Sequence, residues 1–463
     1  MQAWWGAALV PMRSSCFELN ATTLAEVTKA LDSVPRAAYS VPHVYPSAAP
    51  AYTHAPMAER PALQHSQLRL YVHVPFCRYH CTFCYFAVRV GADADAMARY
   101  VRALKTELAW VNPGTPLSQL FMGGGTPTAL SPELLDETLD AIFSRTTPYA
   151  PTVHTVEASP ETVSAAHIDV LKRRGVGRVS MGVQSFDDLV LEGVHRRHTR
   201  AQALAACELV VDSGLIVNVD LIYGLPRQTE EMFLDDLHAL AERHVPSLTL
   251  YSLRANERTP VVKALRPEDR FDLAGLMRWR AFVKRSAEDL GYTQTRWHTF
   301  KRLDTNARTH EQLPFFDESM SGYQLGIGMS ARSHLGHTVY RNHERLDVYL
   351  DRVEQNMSPV EEVFPLGEED RMTQFVARTL GDGRILVRSQ YESTFGHPIE
   401  EDFGELLGRL TSADLIEDDG EGLTLSDLGK LIYDVVMLAF YPRGARDWLT
   451  ARLDRAAFTR MAS

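Results

Sequence analysis

Three of the chain's five cysteines lie in one short stretch, CRYHCTFCYF. Cys77, Cys81 and Cys84 have the spacing C-x3-C-x2-C. A structural zinc site usually takes two C-x2-C pairs, or two cysteines and two histidines. Three thiolates fit a cubane iron–sulfur cluster better, because cysteine then binds three irons and one iron stays open. The zinc alternative needs His73, His80 or a distant cysteine as the fourth ligand.

The remaining cysteines, Cys16 and Cys207, stand alone. Cys207 lies in the helical pattern AQALAACELVVDSG, which predicts a buried core thiol. An odd, sparse and clustered set of cysteines argues against a disulfide framework and favours a reducing compartment.

Charge and hydropathy argue against a nucleic-acid-binding protein and against a membrane-spanning protein. The net charge is −11 and no Lys/Arg block is present, which argues against binding to a nucleic-acid backbone. No apolar run approaches the roughly 20 residues that cross a bilayer. The first residues, MQAWWGAALVPMR, lack the basic and cleavage-site pattern of a signal peptide. We therefore expect a cytoplasmic protein without membrane or nucleic-acid partners.

The elements that must position the cysteines alternate between strand and helix patterns. Strands are predicted at 67–74, 120–127, 152–160, 177–185, 215–226 and 247–253. Each gap between them can hold one helix, as at 93–111. This alternation is typical of an α/β fold with parallel strands. The cysteines directly follow the first strand, at the end where parallel barrels gather their active sites.

Two predicted strands have a polar face as well as an apolar face. In RVSMGVQS, Ser180 and Gln184 lie opposite the apolar residues, and in VNVDL, Asn218 and Asp220 do so. Polar faces on central parallel strands indicate a barrel with a hydrated interior. Six such units predict a partial (β/α)6 TIM-like barrel that is open on one side.

The sequence outside the barrel suggests further parts. We expect an N-terminal extension and Pro-rich strap at 1–66, the barrel at 67–300, a connecting segment at 301–365, and a mostly helical, winged-helix-like domain at 366–463. In the last domain a strand, tight turn and strand precede a helix capped by Ser426 or Asp427. This unit would also allow a redox-sensing DNA regulator, although its acidic turn argues against that alternative.

Four motifs in order now identify a resemblance. YVHVPFC, GGGTPT, RVSMGVQSF and DLIYGLPRQT, together with the cysteine spacing, resemble the radical S-adenosylmethionine (SAM) superfamily. They are closest to the subgroup of oxygen-independent coproporphyrinogen III dehydrogenase, which includes haem chaperones and natural-product methyltransferases. The resemblance implies a 4Fe–4S cluster held by the three cysteines and SAM bound to the open iron. Reductive cleavage of SAM would give a 5′-deoxyadenosyl radical.

The resemblance also implies which residues contact SAM, in two molecules bound side by side. The first set is Tyr71, Gly124 and Glu157, and the second is Phe83, Gly125, Thr126, Gln184, Arg196 and Asp220. Arg196 would pair with a SAM carboxylate, for which a guanidinium is well suited. Arg197 beside it leaves that assignment open by one position.

The chain departs from the subgroup at several positions. Phe86 stands where the dehydrogenase has a further cysteine, and Arg254 and Arg332 stand where small or apolar residues are expected. The segment HEQLPFF keeps only His310 of the haem-chaperone motif. These departures favour a class C methyltransferase or cyclopropanase, in which a second SAM donates a methylene to an sp2 carbon of a natural product.

Two alternatives to that reaction stay open: a coproporphyrinogen III oxidase or other tetrapyrrole-modifying enzyme, and a haem chaperone. In GYTQTRWHTFKR, Arg296 and His298 are candidates for substrate binding or proton transfer, although a partly exposed basic strand explains them equally well. The chemistry requires a small-molecule substrate and a low-potential donor such as flavodoxin or ferredoxin. We expect a monomer.

Overall fold

The computed structural model describes residues 21–34, 53–54, 68–148, 153–255, 259–265, 272–302 and 324–449. Cys16, His310 and the segment HEQLPFF lie outside the described residues.

The helices of the described residues are α1 (Ala21–Ala30), α2 (Ala94–Leu108), α3 (Pro132–Arg145), α4 (Ala165–Arg173), α5 (Asp188–Gly193), α6 (Arg200–Asp212), α7 (Glu230–Glu242), α8 (Leu273–Asp289), α9 (Leu346–Glu354), α10 (Glu368–Thr379), α11 (Arg388–Phe395), α12 (Ile399–Ser412), α13 (Asp427–Leu431) and α14 (Tyr433–Ala439). Short 3-10 turns lie at Pro127–Ala129, Pro260–Lys263 and Leu380–Asp382.

The strands are β1 (Thr53–His54), β2 (Leu68–Val74), β3 (Phe76–Cys77), β4 (Arg89–Val90), β5 (Thr115–Gly124), β6 (Thr146–Pro148), β7 (Thr155–Ala158), β8 (Arg178–Gln184), β9 (Ile216–Tyr223), β10 (Ser247–Ser252), β11 (Thr293–Arg296), β12 (Thr299–Lys301), β13 (Gln324–Ile327), β14 (Arg332–Leu335), β15 (Thr338–Asn342), β16 (Val360–Pro365), β17 (Leu386–Val387), β18 (Ile416–Asp418) and β19 (Gly422–Leu425).

Six parallel strands form the centre of the main sheet in the order β2-β5-β7-β8-β9-β10. Helices α2, α3, α4, α6 and α7 connect them in sequence, and α8 follows β10. The predicted partial (β/α)6 barrel is therefore confirmed. The strand ends differ from the prediction by at most five residues, most at β5, which begins at Thr115 and ends at Gly124.

Further strands extend the sheet on both sides of this centre. Strand β13 pairs parallel to β2, and β14, β15 and β16 follow it in antiparallel pairs. On the other side, β12 pairs antiparallel to β10, and β11 pairs with β12. Much of the predicted connecting segment thus adds to the barrel sheet. The domain limits proposed from sequence stay a prediction.

Side-chain alternation explains the barrel's two faces. Val179, Met181 and Val183 of β8 are fully buried in the main apolar core. The opposite side chains, such as Ser180, point into the barrel and hydrogen-bond with Asp220 of β9 at 3.2 Å. The sheet therefore packs against the helices on its outer face and encloses polar groups on its inner face.

The C-terminal part contains helices α10–α14 and a three-stranded sheet in the order β17-β19-β18. Ser426 caps α13, because its hydroxyl accepts a hydrogen bond from the Gly429 amide. The strand–turn–strand–helix prediction for this segment is confirmed, with Ser426 rather than Asp427 as the cap. The helix divides at Ile432 into α13 and α14.

Two sets of contacts connect this C-terminal part with the rest of the chain. Arg280 of α8 and Asp434 of α14 form a buried bidentate ion pair at 2.7 and 2.6 Å. Trp297, between β11 and β12, stacks on Tyr433 with ring centroids 4.8 Å apart. The N-terminal helix α1 packs its apolar side into the C-terminal core.

Helix α1 has an apolar side made of Val27, Ala30 and Leu31, all buried in the same core as Leu406 and Leu410 of α12. An ion pair between Asp32 and Arg409 lies at the edge of this contact, at 3.1 Å. Strand β1 pairs antiparallel with β16 at the sheet edge. The N-terminal extension therefore contacts both parts of the fold.

Candidate functional site

The cysteine loop follows β2 and lies at the carboxyl ends of the parallel strands. Cys81 is buried and Cys77 and Cys84 are half-buried. The Cys84 amide donates to the Cys81 carbonyl at 3.1 Å, which forms a turn. The Thr126 hydroxyl lies 3.7 Å from the Cys77 sulfur, after β5. Cys77 thus presents its thiol toward the end of the neighbouring strand β5.

The donor set fits a cubane cluster and not a single metal ion. Among the described residues, no group of three or more His, Cys, Asp or Glu side chains is close enough to hold one ion. Cysteines of a cubane bind different irons, so they need not converge on one point. His73, the zinc alternative, is buried, and its ring nitrogens contact the Tyr71 hydroxyl and the Ala87 carbonyl, each at 3.0 Å.

Burial also raises the pKa of two of these thiols in the absence of iron. It raises the pKa of Cys77 to about 11, although the Thr126 hydroxyl partly opposes the shift. It raises the pKa of Cys84 to about 12. Cluster binding must therefore displace protons from these sulfurs.

The glycine run at the end of β5 makes room for neighbouring groups. Gly124 has φ +103°, and a Cβ there would lie 2.5 Å from the His73 ring. A Cβ on Gly125 would lie 2.7 Å from the Pro75 backbone, just before the cysteine loop. Only glycine allows this backbone to approach both β2 and the loop. The run therefore forms a cradle beside the cysteines.

Glu157 of β7 lies over this cradle. Its carboxylate accepts a hydrogen bond from the Gly124 amide at 3.0 Å. Burial raises the pKa of Glu157 to about 8, and the nearby Asp220 carboxylate adds to the shift. Asp220 accepts hydrogen bonds from Ser180 and Asn218, and burial raises its pKa to about 6 against the field of Arg178. Two predicted SAM contacts thus face each other inside the barrel.

Gln184 ends β8 in a strained conformation. Its φ is +77°, in the left-handed region, and the register shifts between Gly182 and Gln184. Its amide folds over Gly182, where an added Cβ would lie 3.0 Å from it. Such strain in a residue other than glycine concentrates at functional sites. The predicted role of Gln184 is consistent with this geometry.

Arg196 resolves the choice that the sequence left open. Its guanidinium donates to the Cys81 sulfur at 3.6 Å and to the Ser159 hydroxyl at 3.1 Å. Arg197 lies over the Tyr79 ring at 5.8 Å and is exposed. Arg196 is therefore the arginine that faces the cysteine site.

The other predicted residues differ in placement. Tyr71 is near Glu157, whose charge helps burial to raise the Tyr71 pKa. Phe83 packs against a small apolar cluster with Val194 and Val261, so packing alone explains much of its position. Thr126 lies beside Cys77, as described above. The assignment of all these residues as SAM contacts stays a prediction.

Arg296 and His298 lie at the rim of the barrel, next to the C-terminal part. His298 stacks on Tyr251 with centroids 4.9 Å apart, and Arg296 lies 3.7 Å from Asp382. Burial, together with the charges of Arg254 and Arg296, lowers the pKa of His298 to about 3. The imidazole is therefore neutral near pH 7 and is suited to stacking rather than to proton donation.

Aromatic and basic residues surround the mouth of the barrel. Tyr85 and Phe86 stack at 4.8 Å and are 44% and 50% exposed. Arg254 follows β10, and Arg332 begins β14 at the same end of the sheet. Although the residue is partly exposed, desolvation of the Tyr85 hydroxyl raises its pKa, and the charges of Arg254 and Arg332 oppose this shift, so both arginines act on the same side chain.

Sequence reasoning missed several of these residues. Tyr251 is on the same side of β10 as Thr249, which hydrogen-bonds with Asn218 in the barrel, so the period of two could have found it. Tyr85 directly follows Cys84, but nothing in the sequence indicates which way its side chain points. Asp382 comes from the C-terminal part, so its position depends on tertiary packing.

The remaining predictions from sequence concern features outside the candidate site. Cys207 is fully buried in the main core, as predicted. No helix among the described residues is long and apolar enough to span a membrane.

Comparison with known proteins shows which families this chain resembles. Residues 71–240 match the Radical SAM superfamily. The chain is 29% identical to the oxygen-independent coproporphyrinogen III oxidase of Cereibacter sphaeroides, over 81% of this chain and 86% of that protein. It is 28% identical to the heme chaperone HemW of Lactococcus lactis, over 78% of this chain and 93% of that protein.

A solved structure agrees with these matches. The coproporphyrinogen III oxidase HemN of Escherichia coli, described as a radical SAM enzyme, superposes with a TM-score of 0.70 at 26% identity. The superposition covers 81% of this chain and 90% of HemN. The expected 4Fe–4S cluster and SAM are thus confirmed as cofactors of this fold.

The expected reaction is wrong. These relatives are named coproporphyrinogen III oxidase or heme chaperone, and none of those reported above is a methyltransferase or cyclopropanase. The departures at Phe86, Arg254 and Arg332 therefore do not indicate a different reaction, because side chains around a substrate can change while the chemistry is retained.

Proposed function

We propose that this radical SAM enzyme modifies a cyclic tetrapyrrole that carries carboxylate side chains, as coproporphyrinogen III does. The observation that carries the proposal is the mouth of the barrel, where flat aromatic side chains and arginines lie together above the cysteine site. Cys77, Cys81 and Cys84 would hold the cluster, which would supply the electron for reductive cleavage of SAM and so the means to take a hydrogen atom from the substrate.

The aromatic side chains fit the individual pyrrole rings of such a substrate, each of which is flat. The stacked pair Tyr85 and Phe86 lies on one side of the mouth, and Tyr251 with His298 forms a second stacked pair. Offset stacking on a planar ring system is favourable by about 0.5–1.5 kcal/mol for each ring pair, beyond the area buried. A neutral His298 suits this role, because a charged ring would have to be desolvated.

The arginines fit the carboxylates. Arg254 and Arg332 lie at the rim, where a propionate could reach them, and a guanidinium binds a carboxylate through two hydrogen bonds. Arg254 also lies 3.6 Å from the buried Asp434, which fixes it in place. Deeper in the barrel, Asp220 has a pKa of about 6 and is mostly ionised near pH 7, so its negative charge would keep a substrate carboxylate at the rim.

The test is anaerobic incubation of the reconstituted protein with SAM, reductant and coproporphyrinogen III. We expect formation of 5′-deoxyadenosine that depends on the tetrapyrrole, together with loss of the substrate measured by mass spectrometry. Arg254→Gln and Arg332→Gln should raise KM about tenfold each, since a charge-assisted hydrogen bond is worth roughly 1.5–3 kcal/mol. Arg345→Gln, at an exposed surface pair with Asp347, is the matched control.

Two results would overturn the proposal. One is 5′-deoxyadenosine formation that no carboxylate-bearing tetrapyrrole stimulates. The other is stoichiometric haem binding, seen as a Soret shift, with no turnover of any porphyrinogen, which would favour the chaperone function named for HemW.

A further inference from the structure

Arg196 is held by more than the cysteine site. One guanidinium nitrogen faces the Cys81 sulfur at 3.6 Å, and the other donates to the Ser159 hydroxyl at 3.1 Å and to the Gly182 carbonyl. The side chain therefore bridges the cysteine loop and the ends of β7 and β8.

The direction of the next hydrogen bond is fixed by chemistry. The Ser159 hydroxyl donates to the Glu161 carboxylate at 2.5 Å. Because a hydroxyl has one proton, Ser159 must accept from Arg196 while it donates to Glu161. In the network Arg196–Ser159–Glu161 the hydrogen bonds therefore run in one direction, from Arg196 to Ser159 and from Ser159 to Glu161. This direction requires a hydrogen-bond acceptor at position 161.

Glu161 is kept ionised by its surroundings. Burial alone would raise the pKa of Glu161, but the contacts with His198, Arg196 and Ser159 outweigh it and hold the pKa well below its usual range. His198 Nδ1 lies 3.5 Å from the carboxylate, and the imidazole side chain has no solvent exposure. These contacts limit the rotation of the carboxylate, which is only 13% exposed.

We propose that Glu161 is a positioning residue for SAM: through Ser159 it holds the Arg196 guanidinium in the orientation that faces the Cys81 side of the site. This proposal rests on the SAM site assumed in the proposed function. It does not depend on the substrate, because none of these residues lies at the aromatic mouth. Glu161 follows β7 by three residues, on a segment that no motif of the sequence marks.

The experiment measures SAM binding to the reconstituted protein by equilibrium dialysis, with iron content as a check on the cluster. We expect Glu161→Ala and Ser159→Ala each to raise the SAM Kd about tenfold at unchanged iron content. The double variant should be no weaker than Glu161→Ala, because both changes break one network and their effects do not add. Glu192→Ala removes an exposed carboxylate from the nearby helix α5 and is the matched control.

A conservative variant separates positioning from charge. The amide oxygen of Glu161→Gln can still accept from Ser159, so this variant should recover most of the lost affinity. If Glu161 acted only through its charge, its removal should tighten the binding of the SAM carboxylate, and Gln and Ala should behave alike. The EPR signal of the reduced cluster gives a second measurement, since SAM added at a fixed concentration should shift the spectrum less in Glu161→Ala than in wild type.

The proposal is overturned if the Kd of Ser159→Ala and Glu161→Ala stays within twofold of wild type, or if the two effects add. Failure of the tetrapyrrole assay leaves these measurements unchanged, because they use only SAM and the cluster. The two proposals therefore stand or fall separately.

Discussion

The ion pair between Arg280 and Asp434 allows a quantitative test of how the C-terminal part is held against the barrel. Both side chains are almost completely buried, with exposed fractions of 9% and 1%. The Arg280 guanidinium also donates to the Leu431 carbonyl at 2.8 Å and lies over the Tyr433 ring. Replacing Arg280 by Met keeps the apolar stem but leaves the Asp434 carboxylate buried without its main partner.

The expected cost follows from that burial. Removing one partner of a buried ion pair typically destabilises a protein by about 3–5 kcal/mol, because the other charge loses its compensation. Arg254 remains 3.6 Å from Asp434 and compensates part of the charge. We therefore expect Arg280→Met to lower the free energy of unfolding by about 3 kcal/mol. The double variant with Asp434→Leu should regain most of this loss, since no buried charge is left.

The assay is urea unfolding of the cluster-free protein, followed by tryptophan fluorescence, to which Trp297 at the same interface contributes. The matched control is Arg99→Met. Arg99 also forms a bidentate pair, with Glu354 at 2.7 Å for each bond, but both side chains are 43% exposed. A surface pair of this kind contributes about 0–1 kcal/mol. Equal losses in the two variants, or no recovery in the double variant, would refute the reasoning.

Two further predictions concern the barrel interior. Gly124→Ala should lower the free energy of unfolding by about 2 kcal/mol or more and abolish SAM binding, because Gly124 has a positive φ and the His73 ring lies close to it. The control is Gly114→Ala, which has a similar φ of +79° but open space around the added Cβ, and it should cost only about 1 kcal/mol. Equal costs in thermal melts would contradict the steric argument. The raised pKa of Glu157 means that the folded protein binds this proton more tightly than the unfolded chain does, so stability falls as pH rises from about 4.5 through 8. Glu157→Gln should therefore gain about 2–3 kcal/mol over wild type between pH 6 and pH 9, since each pH unit up to the folded pKa costs wild type about 1.4 kcal/mol. Parallel pH dependences of the two proteins across this range would show that Glu157 is not buried as an acid.

The sequence contained enough information for the barrel because its signals are local. Alternation along each strand and caps such as Asp93 at α2 are read within a few residues. The ends of β5 were harder to place, since Thr115 and Pro116 are not typical strand residues. The strand stops at Gly124 because the following glycine and Thr126 turn toward the cysteine loop, bonding to the Val74 and Phe76 carbonyls.

The candidate site was only partly predictable. Cysteine spacing is a local signal, so the cluster ligands could be named. The choice between Arg196 and Arg197 depends on which side chain points inward, and that is set by the packing of the loop after α5. The partners Ser159, Glu161 and His198 come together only in three dimensions, so spacing could not reveal them.

The contact between α1 and α12 has a consequence for synthesis of the chain. The apolar side of α1, with Val27 and Leu31, needs Leu410 as a partner, and this residue is made almost 400 residues later. At roughly 5–20 residues per second, the ribosome needs on the order of 20–80 s to reach it. During that time the apolar side of α1 has no native partner on α12. In a nascent chain of this protein, the apolar side of α1 should therefore require protection from non-native contacts until α12 has been translated.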